Sequence, residues 1–421
     1  MSSTDQSRSE RSAASDENAA AVARDFSLKN LPDSFYDDPY PTYRALQATD
    51  PVHRMPDGSL FLTRYRDLEA IYKDTTRFTS DKKVEFAPKY GAGSLLYQHH
   101  TTSLVFNDPP LHTRVRRLIA GALNPRAIGG MEPALATLVD RLLDGMERLG
   151  HPDLIEDFAS AIPIEVIGNL LAIPHGDRGP LRGWSLAILG ALEPFLSQDV
   201  QARGESAVAE FLDYLRRLVA DRRARPGDAD HDVLTRLITG ETDGERLSEA
   251  ELLQNCIFIL NAGHETTTNL IGNGLELLMR FPDERQRLIA DPALIKSAVE
   301  EFLRFESSNQ LGNRSVATDT EIGGVALPKG TLITLCIGAA NRDPEQFEHP
   351  EQFDIGRAPN RHLAFASGPH ACVGLNLARL EGRIAIGGFL ARFPKFAATG
   401  KAQRARRVRF RGFPSLPVQL G

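Results

Sequence analysis

Helical patterning that runs almost unbroken from residue 111 to residue 282 limits this chain's fold more than any other feature. After Asp108-Pro109-Pro110, the apolar residues Val115, Leu118, Ile119 and Leu123 fall at helical spacing. From there the chain reads as successive amphipathic helices joined by polar loops. The longest covers residues 248–280 and opens with Ser248 three positions before Glu251, the spacing of a capping box. Further helices are expected over residues 292–305 and directly after Cys372, where Leu375, Leu377, Ala378, Leu380, Ile384 and Ile386 line up. Strand signals are short. Pro56-Asp57-Gly58 sits between two apolar runs, a hairpin signal. Strands at 321–327 and 331–335 flank a turn at Pro328-Lys329-Gly330, and an irregular loop follows over 341–361. The expected fold class is mainly α with small β-sheets (α+β), with order beginning near Phe35.

Residues 1–24 are rich in Ser, Asp, Glu, Arg and Ala. Such a stretch cannot offset its ordering entropy by burial, so a disordered tail is expected there, with one folded domain over 25–421. Asp5, Glu10, Asp16 and Glu17 argue against a transit peptide. Lys and Arg total 49 against 55 Asp and Glu, a net charge of −6, so the basic footprint of a nucleic-acid binder is missing. Apolar runs such as 332–340 fall short of the roughly 20 residues of a membrane helix. No apolar stretch follows the first charges, so no secretory signal is read, and a cytoplasmic monomer is expected. The three cysteines, Cys256, Cys336 and Cys372, do not make a disulfide framework and are one short of a four-cysteine iron–sulfur cluster.

One of them is set apart by its surroundings. Gly368 and Gly374 flank Cys372 where the loop must bend tightly, and positive φ is expected at both. Cys372 would sit at a helix N-terminus, where free N–H groups and the dipole favour a thiolate. A thiolate there can ligate iron and donate electron density that favours O–O cleavage. In the long helix, Ala262-Gly263-His264-Glu265-Thr266-Thr267-Thr268 places poor helix formers together. A threonine hydroxyl can bond back to a carbonyl one turn earlier, leaving a polar notch. Position 268 is Thr, so His264-Glu265 is not half of a zinc-protease motif. Glu301 and Arg304 share a helical face within ion-pair reach, and His112 and Arg116 stand at i, i+4. His99-His100 reads as a solvated loop pair.

The pattern Phe365, Gly368, His370, Cys372, Gly374 resembles the haem-binding signature of the cytochrome P450 family, specifically its soluble bacterial members. Other landmarks follow in order over about residues 35–421. The resemblance implies a single triangular domain, haem b (iron protoporphyrin IX) and iron ligation by Cys372, with Ala262 against the haem. It makes Glu265 and Thr266 the acid–alcohol pair that activates dioxygen. His112, Arg116, Arg314 and His370 become the propionate contacts, and Glu301, Arg304 and Arg357 a structural trio. Substrate contacts are expected at Phe258, Asn261, Asn309, Gly312 and Leu96, with Asn261 and Asn309 either bonding a polar substrate group or satisfying backbone. The expected reaction is hydroxylation or oxidative dealkylation of a small organic molecule, a monooxygenase reaction. Electrons would come from NAD(P)H through a separate ferredoxin and ferredoxin reductase. Arg114, Arg117, Arg379 and Arg383 are the expected docking cations; the basic run 401–411 is another candidate, read rather as a solvated strand flank. Two other classes stay open: a peroxide-using haem-thiolate oxidant and a non-catalytic haem sensor.

Overall fold

The computed structural model describes residues 17, 19–229, 232–242 and 245–421. Its centre is the long helix Glu249–Arg280, whose capping box forms as expected. Ser248 Oγ accepts from Glu251 N–H at 3.3 Å, and Ser248 N–H donates to Glu251 Oε2 at 2.8 Å. Apolar residues buried on several faces make it a core helix rather than a surface one. Helices Ala161–Leu170, Leu181–Gly190, Gln198–Ala224 and Leu375–Arg392 pack around it. The expected helix at 292–305 begins with one 3₁₀ turn, Pro292–Leu294, and continues as Ile295–Phe305. No described helix is long and apolar enough to cross a membrane.

The main sheet has five short strands in the order Val52–Arg54, Leu60–Leu62, Leu332–Cys336, Leu311–Val316, Phe78–Thr79. Leu60–Leu62 runs parallel to Leu332–Cys336 and the other neighbours are antiparallel. The turn at Pro56-Asp57-Gly58 closes with Gly58 at φ 83° and Met55 N–H donating to Ser59 O at 2.8 Å. The single strand expected over 321–327 is instead a hairpin, Thr320–Ile322 paired with Val325–Leu327. Gly323 and Gly324 take φ 58° and 81°, the left-handed pair of a tight hairpin turn.

The expected disordered tail needs correcting at its end. Residues 1–16 and 18 lie outside the described residues, but 19–24 are helical and Ala23 is buried. The cause is just downstream: the Phe26 ring lies 4.9 Å from that of Phe61, fastening this segment to the sheet, so order begins well before Phe35.

Candidate functional site

The cysteine loop is held by backbone. Cys372 N–H donates to Phe365 O at 2.9 Å, and Ala371 N–H donates to Gly368 O at 3.0 Å. Gly368 has φ 66°, and a Cβ there would come within 2.4 Å of Tyr72 O, so no larger residue fits. Gly374 departs from expectation, with φ −91°. A Cβ on Gly374 would meet no protein atom, although the residue borders the cavity. Its smallness therefore answers to what the cavity holds. The Cys372 thiol is also unlike its expectation. Burial pushes it above its ordinary value, against the Gly374 N–H and the guanidinium groups of Arg116 and Arg379. The helix begins only at Leu375, too far on for its dipole to win over desolvation. A bound metal would displace that proton outright.

Cys372 faces a cavity of about 350 Å³ lined mostly by apolar side chains. Val373, Phe365 and Leu377 lie on the cysteine side, and Ala262, Gly263, Thr266 and Leu270 of the long helix also line it. His112, Arg116, Arg314 and His370 form a polar rim. The two imidazoles lie 3.9 Å apart between centroids, and neither Nε2 has a hydrogen-bond partner. His370 Nε2 stands 3.7 Å from Asp108 Oδ1, beyond bonding reach. Burial holds His112 down at about 4, with His370 and Arg116 adding to the effect. Arg314 is buried and has one acceptor, the Asn313 carbonyl at 2.7 Å. Donors of which only His370 has a carboxylate nearby, Asp108, fit a prosthetic group bearing acidic arms. Among the described residues, no group of three or more His, Cys, Asp or Glu side chains could hold a metal ion. The facing thiol, the apolar lining and the rim donors fit haem.

The notch in the long helix forms. Thr266 Oγ1 donates to Ala262 O at 2.7 Å, and Thr268 Oγ1 to His264 O at 2.9 Å. A Cβ on Gly263 would lie 2.6 Å from Ile167 Cδ1, so glycine lets helix Ala161–Leu170 approach. Glu265 corrects an expectation: it is buried outside the cavity lining, paired with Arg407. Burial raises its pKa to about 7; Arg407 opposes and Glu193 reinforces this. Glu193 in turn binds Arg407 Nε at 3.1 Å. One Glu265 oxygen, Oε2, has no partner.

Glu301, Arg304 and Arg357 do meet. Arg304 is bidentate to Glu301 at 2.7 Å on both arms, with both side chains fully buried. Its remaining N–H groups hold Asn341 O, Pro350 O and Gln352 O at 2.9–3.1 Å, and Arg357 Nε reaches Glu301 Oε1 at 3.3 Å. The irregular loop behind the cysteine is thus pinned to helix Ile295–Phe305.

The ligand wall departs most from expectation. Phe258, Asn261, Asn309 and Gly312 line the cavity, but Leu96 does not; it is buried against Gly204. His99 and His100, expected in a solvated loop, are buried on helix Leu95–Thr102 and do line it. His99 Nδ1 meets Gln254 Oε1 at 3.0 Å, Asn261 Nδ2 lies 3.4 Å from His99 Nε2, and Asn261 Oδ1 has no partner. Asn309, its amide oriented by hydrogen bonding, donates to Arg409 O at 3.2 Å and Leu311 O at 3.1 Å, so its N–H groups serve backbone. The basic run 401–411 is not a solvated flank either. Arg404 and Arg411 pair with buried Glu306, and Arg409 and Phe410 join the cavity lining. Arg409 was missed because no local pattern separates it from the other arginines of its run. Two expected docking cations are committed internally, Arg379 bidentate to Glu300 at 2.7 Å and Arg114 to Glu251.

A cavity with one facing thiol, an anion-binding rim and a notched helix defines a haem-thiolate protein. The family model described as Cytochrome P450 matches residues 185–404, which include the notch and Cys372. The chain is 37% identical over 396 residues to a Vitamin D(3) 25-hydroxylase of Pseudonocardia autotrophica, covering 92% of this chain and 95% of that protein. It is 36% identical over 403 residues to cytochrome P450 monooxygenase PikC of Streptomyces venezuelae, covering 93% of each. The structure of P450BioI in complex with hexadec-9Z-enoic acid ligated acyl carrier protein matches with a TM-score of 0.87 at 32% identity, over 92% of this chain and all of that one. The chain belongs to the cytochrome P450 family and is a monooxygenase, an oxidoreductase.

Proposed function

We propose that the chain inserts one atom of O₂ into a small, largely apolar organic molecule, by hydroxylation or oxidative dealkylation, using haem b. The single observation that carries this is the placement of Cys372 and Thr266 on one apolar cavity. Cys372 would ligate the iron, and His112, Arg116, Arg314 and His370 would hold the two carboxylates. When bound, the haem supplies dioxygen binding and reductive activation. The protein's own part is to exclude water and to move protons. Thr266 presents its hydroxyl at the notch, with its proton on Ala262 O. Glu265, near 7, is poised to hold a proton and release it at neutral pH, and would have to let go of Arg407 to reach the notch. The hydroxylase and monooxygenase relatives support this reaction class.

Electrons are proposed to come from NAD(P)H through a separate ferredoxin and reductase, because three cysteines cannot build a four-cysteine cluster. Rim cations would raise the docking rate, with Arg117 exposed and Arg383 half-buried on the two helices nearest the cysteine. The test is the spectrum of the reduced protein under carbon monoxide, followed by turnover with NADPH, ferredoxin and reductase. A strongly red-shifted Soret band and pyridine-nucleotide-driven product support the proposal. Product formed only with peroxide would replace it with peroxide-driven oxidation.

A further inference from the structure

Three arginines line the cavity, Arg116, Arg314 and Arg409, and among the described residues none has a carboxylate within 4.0 Å. This inference rests on the haem reading above, which accounts for two of them: protoporphyrin IX carries two carboxylates, and the rim of His112, Arg116, Arg314 and His370 would receive both. Arg409 is left over. It differs from the rim arginines in bonding the side chain of Asn313, the residue before Arg314 on strand Leu311–Val316, although Arg314 and Arg409 both act on Tyr72.

Its hydrogen bonds are incomplete. Of five guanidinium N–H groups, one on Nη1 reaches Leu311 O at 3.2 Å and one on Nη2 reaches Asn313 Oδ1. Nε is buried without a partner. The two nearest carboxylates are committed elsewhere. Glu193 takes Arg407 Nε at 3.1 Å and the N–H groups of Val408 and Arg409 at 2.9 and 3.2 Å. Glu85 takes Lys82 Nζ at 2.7 Å. Lys89, the other cation on this side, donates to Glu193 O at 2.8 Å, and neither lysine lines the cavity. A half-buried guanidinium with a buried, unpartnered Nε beside an apolar cavity is stabilised when an anion joins it. We propose that Arg409 selects the substrate: the cavity takes an apolar molecule carrying a carboxylate, which Arg409 binds while the apolar body extends along Leu189, Leu192 and Phe258.

The test uses the haem-loaded, full-length protein, with octanoic and dodecanoic acids compared with their methyl esters at about pH 7, where the acids are ionised. Affinity is read by equilibrium dialysis and by the spin-state shift of the Soret band. At least one acid is expected to bind about tenfold or more tightly than its ester. Arg409→Gln is expected to remove that preference while leaving ester affinity and haem content unchanged, and Arg409→Lys to keep part of it. The inference is overturned if neither acid outbinds its ester, or if Arg409→Gln keeps the preference. It is overturned equally if Arg409→Gln loses haem to the extent that Arg314→Gln is expected to, since Arg409 would then serve the cofactor. A missing red-shifted carbon-monoxide band would instead sink the haem reading, and the dialysis comparison would still report on the anion site.

Discussion

The loop behind the cysteine and the wall facing the ligand both rest on buried polar groups, yet they complete them differently. Behind the cysteine, Arg304 has an acceptor for every nitrogen, all within the protein. On the ligand wall, Arg409 Nε, Asn261 Oδ1, His100 Nε2 and Ser308 Oγ are buried without partners. Buried polar atoms are nearly always satisfied, so a cluster of exceptions marks where the protein is complete only with something else in place. In the scaffold behind the cysteine one such atom remains, Asn360 Oδ1, whereas on the ligand wall, the receptor side, they gather around the cavity.

The largest expected effect is at the point the scaffold serves. Cys372→Ala should abolish the red-shifted carbon-monoxide band, and a retained band would mean the thiolate is elsewhere. Arg304→Leu leaves Glu301 charged and buried, and should cost about 3–5 kcal/mol in chemical denaturation. A small loss there would mean the loop does not depend on its ion pair. Leu96→Ala should cost about 2–5 kcal/mol as a core cavity and leave ligand preference alone. A changed preference would return Leu96 to the receptor. Asn261→Leu removes an unpartnered acceptor, and should weaken a ligand carrying a hydroxyl by about tenfold in a spin-state titration. Unchanged affinity would reduce Asn261 to a helix-packing residue.

The smallest effect is a pH dependence on the scaffold side. Burial works to raise Glu300, but hydrogen bonds from His362 and Arg379 overcome it and hold it at about 2, against an ordinary 4.5. The folded state therefore binds fewer protons than the unfolded one between those values, so this contribution is present above about 4.5 and is lost as pH falls toward about 2. Glu300→Gln should flatten that part of an acid titration followed by Soret absorbance; an unchanged curve would show that the pair adds nothing.

What the sequence made legible follows the same division. The capping box, the threonine that bonds back to Ala262 and the Glu301–Arg304 pair depend on neighbours one helical turn away, and all three stand as read. Glu265 was misdirected because its partner, Arg407, lies 142 residues on. Leu96, His99 and His100 went wrong for a related reason: which face of a short helix meets the cavity is settled by helices elsewhere, not by its own pattern. The Gly323-Gly324 turn was locally readable, and two adjacent left-handed glycines were the missed signal.

One residue separates Arg407, which grips Glu265, from Arg409, which borders the cavity, and that residue, Val408, is tied by its N–H to Glu193. A ligand that pulls on Arg409 therefore pulls on the same short stretch of backbone that sets how firmly Arg407 holds the acid. If Arg409 holds the substrate and Glu265 the proton, as proposed, occupancy and proton supply meet at residues 407–409. A variant that stiffens or loosens residues 407–409 would alter the timing of the catalytic cycle with no atom of the reaction centre replaced.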